Sequence, residues 1–190
     1  LQLVQAVRAL DGQSEHVGVE RLAAEVVGPE RDRAQRIGAV VLAGQHDDLG
    51  VRGELADFLN QTAAACQPHK MSVGYHAHPF DFAKIDGRFA WELLFERTQP
   101  AVTMQMDVGN CLAGNGEPIA MLKKFPGRTR TIHIKEHEAK TFESAFYQEI
   151  FGLCETTAAT EWYIVEMGAP EGNGFEVPRA ALAKLQRLGK

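Results

Sequence analysis

Four short apolar segments share one design, and this design restricts the chain to a narrow class of folds. Each segment is rich in β-branched residues and ends in polar or ionisable side chains; they are residues 71–78, 101–110, 129–136 and 161–167. A fifth segment, residues 37–44, is wholly apolar and is followed by a Gln-His-Asp sequence that contains His46. Short runs of this kind are typical of strands that are buried on both faces of a parallel sheet.

Stretches with helical periodicity separate the strand-like segments. They cover residues 30–36, 53–66, 89–97, 118–125 and 180–188. In the second stretch, the spacing of three and four residues predicts one buried face, formed by Leu55, Phe58, Leu59 and Thr62. Strands that alternate with helices indicate βαβ units, and therefore an α/β fold built on a parallel sheet.

The ionisable residues come at the carboxyl end of each predicted strand, where parallel α/β folds build their sites. Because strand side chains alternate between faces, His76 shares a face with His78 if the strand extends that far, and His133 shares a face with Lys135. A single His or Asp at a strand end is more often a hydrogen-bonded structural group than a ligand. Several such groups at equivalent strand ends instead suit one divalent cation, of Mn, Co, Zn, Mg or Ni. The candidate ligands on this pattern are His76, His78, Asp107, His133 and Glu166.

Composition argues against several classes of protein. The 190 residues include 20 Lys and Arg against 25 Asp and Glu, so no basic stripe for nucleic acid is expected. No apolar run reaches the roughly 20 residues that cross a bilayer, and we predict no membrane partner. The three cysteines are far apart and odd in number, which favours a reducing compartment over a disulfide framework. We therefore predict a cytoplasmic protein.

The segment Gly74-Tyr-His-Ala-His-Pro-Phe-Asp-Phe82 resembles the Gly-Tyr-His-Asn-His-x-x-Glu-Phe signature of xylose-isomerase-like sugar phosphate isomerases/epimerases. Three further motifs follow in the family's order and approximate spacing: residues 106–110, 133–136 and 165–166. The resemblance covers roughly residues 30–190. It implies a (β/α)₈ TIM barrel with a divalent metal at its carboxyl-terminal mouth. By position, Asp107, His133 and Glu166 match three of the family's usual ligands.

The chain also departs from the family's pattern. Many members have Glu where His76 falls, so the fourth predicted ligand is His76 or is missing. Ala77 and Asp81 replace the Asn and Glu of the signature. A TIM barrel typically takes about 250 residues, so we expect an incomplete or N-terminally shortened barrel and a chain that begins inside a longer or processed protein. Residues 1–29 would form an N-terminal segment, a helix or degenerate βα unit, and residues 30–190 the barrel portion. Exposed strand edges would need a cover, such as a second copy in a homo-oligomer or a rearranged N-terminal segment.

The pattern and the resemblance together predict a metal-dependent isomerase or epimerase of a sugar, keto-sugar or polyol, or a related lyase or dehydratase. The reaction would pass through an enediolate. We expect Glu166 to abstract the proton next to the carbonyl, His78 to act as the second acid/base, and Lys135 to neutralise the oxyanion. The predicted substrate contacts are His46, Phe80, Asp81 and Trp162.

Plainer interpretations stay open for several of these residues: a solvated loop for His46, an ion pair for Lys135 and core packing for Trp162. Two other functions also stay open. One is an abasic-site endonuclease of the same fold, against which the acidic net charge argues. The other is a non-catalytic sugar-binding or assembly module.

Overall fold

The computed structural model describes residues 49–135, 141–166 and 176–190. The predicted helix at 30–36, the predicted strand at 37–44 and His46 lie outside these residues, as does the predicted boundary at residue 29, which stays a prediction. The described helices are α1 (Leu49–Cys66), α2 (Ala90–Arg97), α3 (Val108–Ala113), α4 (Pro118–Lys124), α5 (Ala145–Thr156) and α6 (Glu176–Arg187). The described strands are β1 (Val73–His76), β2 (Lys84–Ile85), β3 (Arg88–Phe89), β4 (Val102–Asp107), β5 (Thr131–Lys135) and β6 (Trp162–Glu166).

The main sheet has four strands in the order β1-β4-β5-β6. β4 pairs with β5 in parallel, with Asp107 opposite His133, and β5 pairs with β6 in parallel, with Lys135 opposite Glu166. Each strand-like segment that falls in the described residues thus forms a strand, and these pairings are parallel as predicted. Among the described strands, β6 lies at one end of this order. That a second copy of the chain covers this strand stays a prediction.

Two compact units make up the described residues, and the first contains residues up to His76 together with Lys84–Thr103. Its core is formed by α1, β1 and α2, where Trp91 lies 5.9 Å from Tyr75 and 4.5 Å from Phe95 between ring centroids. The buried face of α1 consists of Ala56, Leu59, Thr62, Ala63 and Cys66. The observed buried face differs slightly from the predicted one, because Leu55 and Phe58 are only half-buried and lie at the edge of the observed face.

The first unit also contains a hairpin that the periodicity did not predict. β2 and β3 pair in antiparallel fashion across Asp86 and Gly87, whose φ angles are 51° and 79°. Two successive positive φ angles are what the tightest hairpin turns require, and Asp-Gly is a preferred sequence for them. The turn dipeptide was the available signal, because strands of two residues are too short to show alternation.

The second unit contains Ala77–Ala83 and the described residues from Met104 onward. α5 is the largest element that the sequence interpretation missed. Its buried residues Tyr147, Ile150, Phe151 and Cys154 do recur with helical spacing, and Ser144 caps its first turn by accepting the N–H of Tyr147 at 3.4 Å. The aromatic residues and Gly152 lower its helix propensity, so tertiary packing decides its formation.

Strand β5 shows how the sheet separates a polar face from an apolar one. Ile132 and Ile134 are fully buried, whereas the alternate residues Thr131, His133 and Lys135 are half-buried. Gln105 of β4 donates from its Nε2 to the Oγ1 of Thr131 at 3.0 Å, which extends the polar face to the neighbouring strand. The interpretation of uniformly buried strands therefore holds for β4, all of whose residues are buried, but not for β5 or β6.

Two sequence-based expectations concern the cysteines and membrane-spanning helices. Cys66, Cys111 and Cys154 are buried and form no disulfide. None of the helices within the described ranges is both long enough and apolar enough to span a membrane.

Gly114 allows the turn after β1 to approach α3 closely. A Cβ at this position would press against the backbone carbonyl of Pro79, which cannot move without shifting the turn. We expect Gly114→Ala to lower the free energy of unfolding by about 1–3 kcal/mol, the usual cost of overpacking. Gly152→Ala is the matched control: its Cβ would meet nothing within 4 Å, and its position inside α5 predicts a gain of about 0.5–1 kcal/mol. Urea unfolding of both variants tests this, and equal effects would contradict it.

Candidate active site

Three neighbouring strands end in ionisable side chains at the same edge of the sheet. Asp107, Lys135 and Glu166 are the last residues of β4, β5 and β6, and His133 precedes Lys135 by two positions. The parallel register sets Asp107 beside His133 and Lys135 beside Glu166. Because side chains two residues apart on a strand share a face, His133 and Lys135 both face this edge of the polar surface.

Asp107 has no exposed surface, and its two carboxylate oxygens have different partners. Oδ1 accepts the backbone N–H of Asn110 at 2.7 Å and so caps the first turn of α3. Oδ2 lies 3.0 Å from Nζ of Lys135 and 4.0 Å from Nδ1 of His133. Burial raises the pKa of Asp107 to about 7, and the neighbouring Glu166 carboxylate adds to this, against the opposing effects of Asn110 and Lys135.

Glu166 is half-buried and also uses both oxygens. Oε2 lies 3.1 Å from Nδ1 of His133, and Oε1 lies 2.8 Å from Nζ of Lys135. The hydrogen bond from His133 holds the pKa of Glu166 well below its ordinary value, although burial opposes this. Glu166 is therefore an ionised carboxylate at neutral pH.

Lys135 is the cation of this group of residues. Burial lowers the pKa of Lys135, but hydrogen bonds to Glu166 and Asp107 outweigh that effect, and its pKa lies above the ordinary value. Its side chain is 17% exposed, so the ammonium is retained at a partly shielded position. The ion-pair interpretation of Lys135 is thus confirmed for this structure, and its predicted role toward an oxyanion stays a proposal.

His76 ends β1 and is buried. The residue after it is held firmly: Ala77 donates its N–H to the carbonyl of Gln105 at 3.1 Å and accepts from Nδ2 of Asn110 at 2.9 Å. The predicted ligands Asp107, His133 and Glu166 each offer one ligand atom, and these atoms all lie within 4.8 Å of one another. One imidazole and two carboxylates form a donor set that fits a divalent metal ion of the Mn²⁺ to Zn²⁺ range, and His76 stays the predicted fourth ligand.

A short turn carries three of the remaining predicted residues. His78 is not part of β1, but it precedes the 3₁₀ turn Pro79–Phe82, and its ring stacks on Phe80 at 5.3 Å between centroids. Asp81 is fully buried, and its Oδ2 accepts the backbone N–H of His78 at 2.8 Å. Its carboxylate faces the turn and fixes the backbone at His78, and the substrate contact of Asp81 stays a prediction.

Trp162 lies on the surface at the start of β6. It is 55% exposed, so the core-packing interpretation is wrong. It is four residues before Glu166, and the rise of a strand puts about 13 Å between their Cα atoms. Its predicted substrate contact stays a prediction.

Asn110 is a residue beside the candidate site whose contacts sequence reasoning missed. Its backbone orients Asp107, and its side chain holds the backbone that follows His76. The sequence contained a signal for this arrangement, because Asp is a preferred N-cap residue and Asp107 ends an apolar run. Residues 106–110 form one of the motifs of the resemblance, but the sequence pattern does not predict helix α3.

Comparison with known proteins concerns the fold. The chain matches no family model and no curated protein. A sugar phosphate isomerase/epimerase from Parabacteroides distasonis aligns with a TM-score of 0.69 and 19% identity, over 78% of this chain and 57% of that one. A second one from the same organism aligns with a TM-score of 0.62 and 21% identity, over 76% and 57%. The chain shares the TIM-barrel fold of these proteins.

The predicted fold class is therefore confirmed, and the chain spans 57% of the length of each of these two isomerases/epimerases. An AP endonuclease of family 2 from Brucella melitensis aligns with a TM-score of 0.46 and 18% identity, over 68% of this chain and 54% of that one. A likeness of that size carries no argument about function.

Proposed function

We propose that this protein is a divalent-metal-dependent enzyme that isomerises or epimerises a sugar or keto-sugar. The observation that supports the proposal most is the group of three ligand-type side chains, Asp107, His133 and Glu166, to which His76 is the proposed fourth. Charged groups of this kind are costly to bury unless a metal or a partner compensates them. The proteins of the same fold named above are sugar phosphate isomerases/epimerases, which supports this substrate class.

The contacts of the side chains support the proposed roles. When bound, the cation would polarise a substrate carbonyl and stabilise negative charge next to it. Glu166, kept ionised by its hydrogen bond from His133, would take the carbon-bound proton adjacent to that carbonyl, which leaves an enediolate. Lys135 would supply positive charge to an oxygen of the enediolate.

His78 is the proposed second acid/base. Its side chain is 29% exposed, and the stacking on Phe80 and the contact of its backbone N–H with Asp81 limit its freedom. Exposure makes proton exchange with solvent available, and an imidazole can both accept and donate a proton. Phe80 would then offer its ring to the substrate as well as to His78.

Elemental analysis tests the metal. Protein purified without chelators should contain about one equivalent of Mn, Co, Zn, Mg or Ni per chain, because a buried mixed imidazole and carboxylate site retains such ions. Less than about a tenth of an equivalent, together with no binding after addition of these ions, would contradict the proposal. A His133→Ala variant serves as the negative control, since it removes one proposed ligand.

The same preparation separates the alternative functions. Bound metal without any proton exchange in a panel of keto-sugars and their phosphates would favour a binding module. Cleavage of duplex DNA at abasic sites in low salt would instead favour the endonuclease. Neither alternative is supported by a specific contact in the described residues.

A further inference from the structure

Lys135 stands where a cation would be expected. Its Nζ lies 3.0 Å from Oδ2 of Asp107 and 2.8 Å from Oε1 of Glu166, so one ammonium bridges two of the proposed metal ligands. The bridge depends on strand register, because Lys135 and Glu166 are paired residues and Asp107 is paired with His133, two positions earlier on β5.

The ammonium and a metal ion would need the same oxygen. Oδ1 of Asp107 accepts the N–H of Asn110, and that bond starts α3, so Oδ2 is the oxygen turned toward the other ligands. This is also the oxygen that Lys135 holds. A divalent ion at this oxygen would lie a few ångströms from the ammonium, and two positive charges in a half-buried site repel strongly.

We infer that Lys135 is a built-in counter-ion that a divalent cation has to displace from Asp107 and Glu166. The inference rests on the proposed metal site. In the unloaded protein the ammonium compensates the two carboxylates, which would otherwise repel one another. In the loaded protein it is free of them, and its place on the same strand face as His133 keeps it beside the bound substrate. Lys135 would thus become available to a substrate oxygen when the cation has bound.

The first test is the affinity of the protein for MnCl₂, measured by isothermal titration calorimetry. Lys135→Met removes the competing charge and should lower the Kd for Mn²⁺ by about tenfold or more. Lys135→Gln serves as a second variant, since its amide still donates a hydrogen bond if the carboxylates need one for folding. Lys123→Met is the matched control: Nζ of Lys123 pairs with Glu149 at 2.7 Å on exposed helices, and its loss should leave the Kd unchanged.

The outcomes are distinct. An unchanged or higher Kd in both Lys135 variants would overturn the inference while the metal site stands. Tight binding by the variants but not by the wild type would show that Lys135 excludes the cation and is not displaced by it, and would overturn both the inference and the metal dependence of the wild-type function. If no form binds Mn²⁺, the inference and the proposed function both fail.

Amine labelling provides a second readout that does not depend on affinity. Acetylation of Lys135, followed by mass spectrometry and normalised to Lys123, should rise when saturating MnCl₂ is added, because the ammonium leaves its carboxylate partners. Equal labelling with and without bound Mn²⁺ would show that Lys135 stays in place, and would overturn the inference even if the affinities differ.

Discussion

Glu166→Gln should lower the rate at which solvent deuterium enters a keto-sugar substrate by about 10²–10⁴-fold, the usual contribution of a general base. The amide cannot accept the carbon-bound proton, but its oxygen can still coordinate a cation. Glu166→Ala loses both capacities and should bind the metal more weakly than Glu166→Gln. The rates are measured by NMR or mass spectrometry of a panel of keto-sugars and their phosphates in deuterated water.

Glu161→Gln is the matched control for this experiment. Glu161 directly precedes β6, is exposed, and pairs with Arg130 through two hydrogen bonds of 2.9 Å. Exposed ion pairs contribute little to stability, so this variant should exchange deuterium at the wild-type rate. Turnover of a substrate by the wild type without deuterium incorporation would contradict a proton-transfer mechanism, and a hydride shift would then explain the reaction better.

Asp107→Asn and Asp107→Ala should both abolish the stabilisation that a divalent cation gives to the folded protein. At a free Mn²⁺ concentration of 100 times Kd, mass action adds about 2.7 kcal/mol to the free energy of unfolding of the wild type. The two variants lose this because Oδ2 of Asp107 is the proposed ligand atom. Urea unfolding with and without MnCl₂ measures the difference directly.

The pair of variants also separates metal binding from helix capping. Asn can still accept the N–H of Asn110 through its Oδ1, whereas Ala cannot and should lose about a further 1 kcal/mol without metal. Asp57→Asn is the control, since Asp57 is an exposed residue of α1. Full cation-dependent stabilisation in Asp107→Asn would contradict the assignment of Asp107 as a ligand.

Much of the fold follows from short-range patterns. The apolar runs of β4, β5 and β6 mark the strands, and the residue at the end of each run is ionisable because parallel α/β folds place their polar groups there. Helix α5 was not predicted although its buried residues have helical spacing, because its aromatic and glycine residues lower its helix propensity. The β2–β3 hairpin was not predicted, because periodicity cannot be read from strands of two residues.

The sequence by itself determined that Asp107 and Glu166 stand at strand ends and that His133 shares a strand face with Lys135, because alternation within a strand depends on local backbone geometry alone. Only the tertiary structure decided what these residues contact. The register between strands more than twenty residues apart brings Lys135 to both Asp107 and Glu166. The tertiary structure also decided that the Asp81 carboxylate faces the backbone of His78 and that Trp162 is exposed at the far end of β6. Pairing and packing between distant segments carry no local periodicity, so no single segment of sequence contains them.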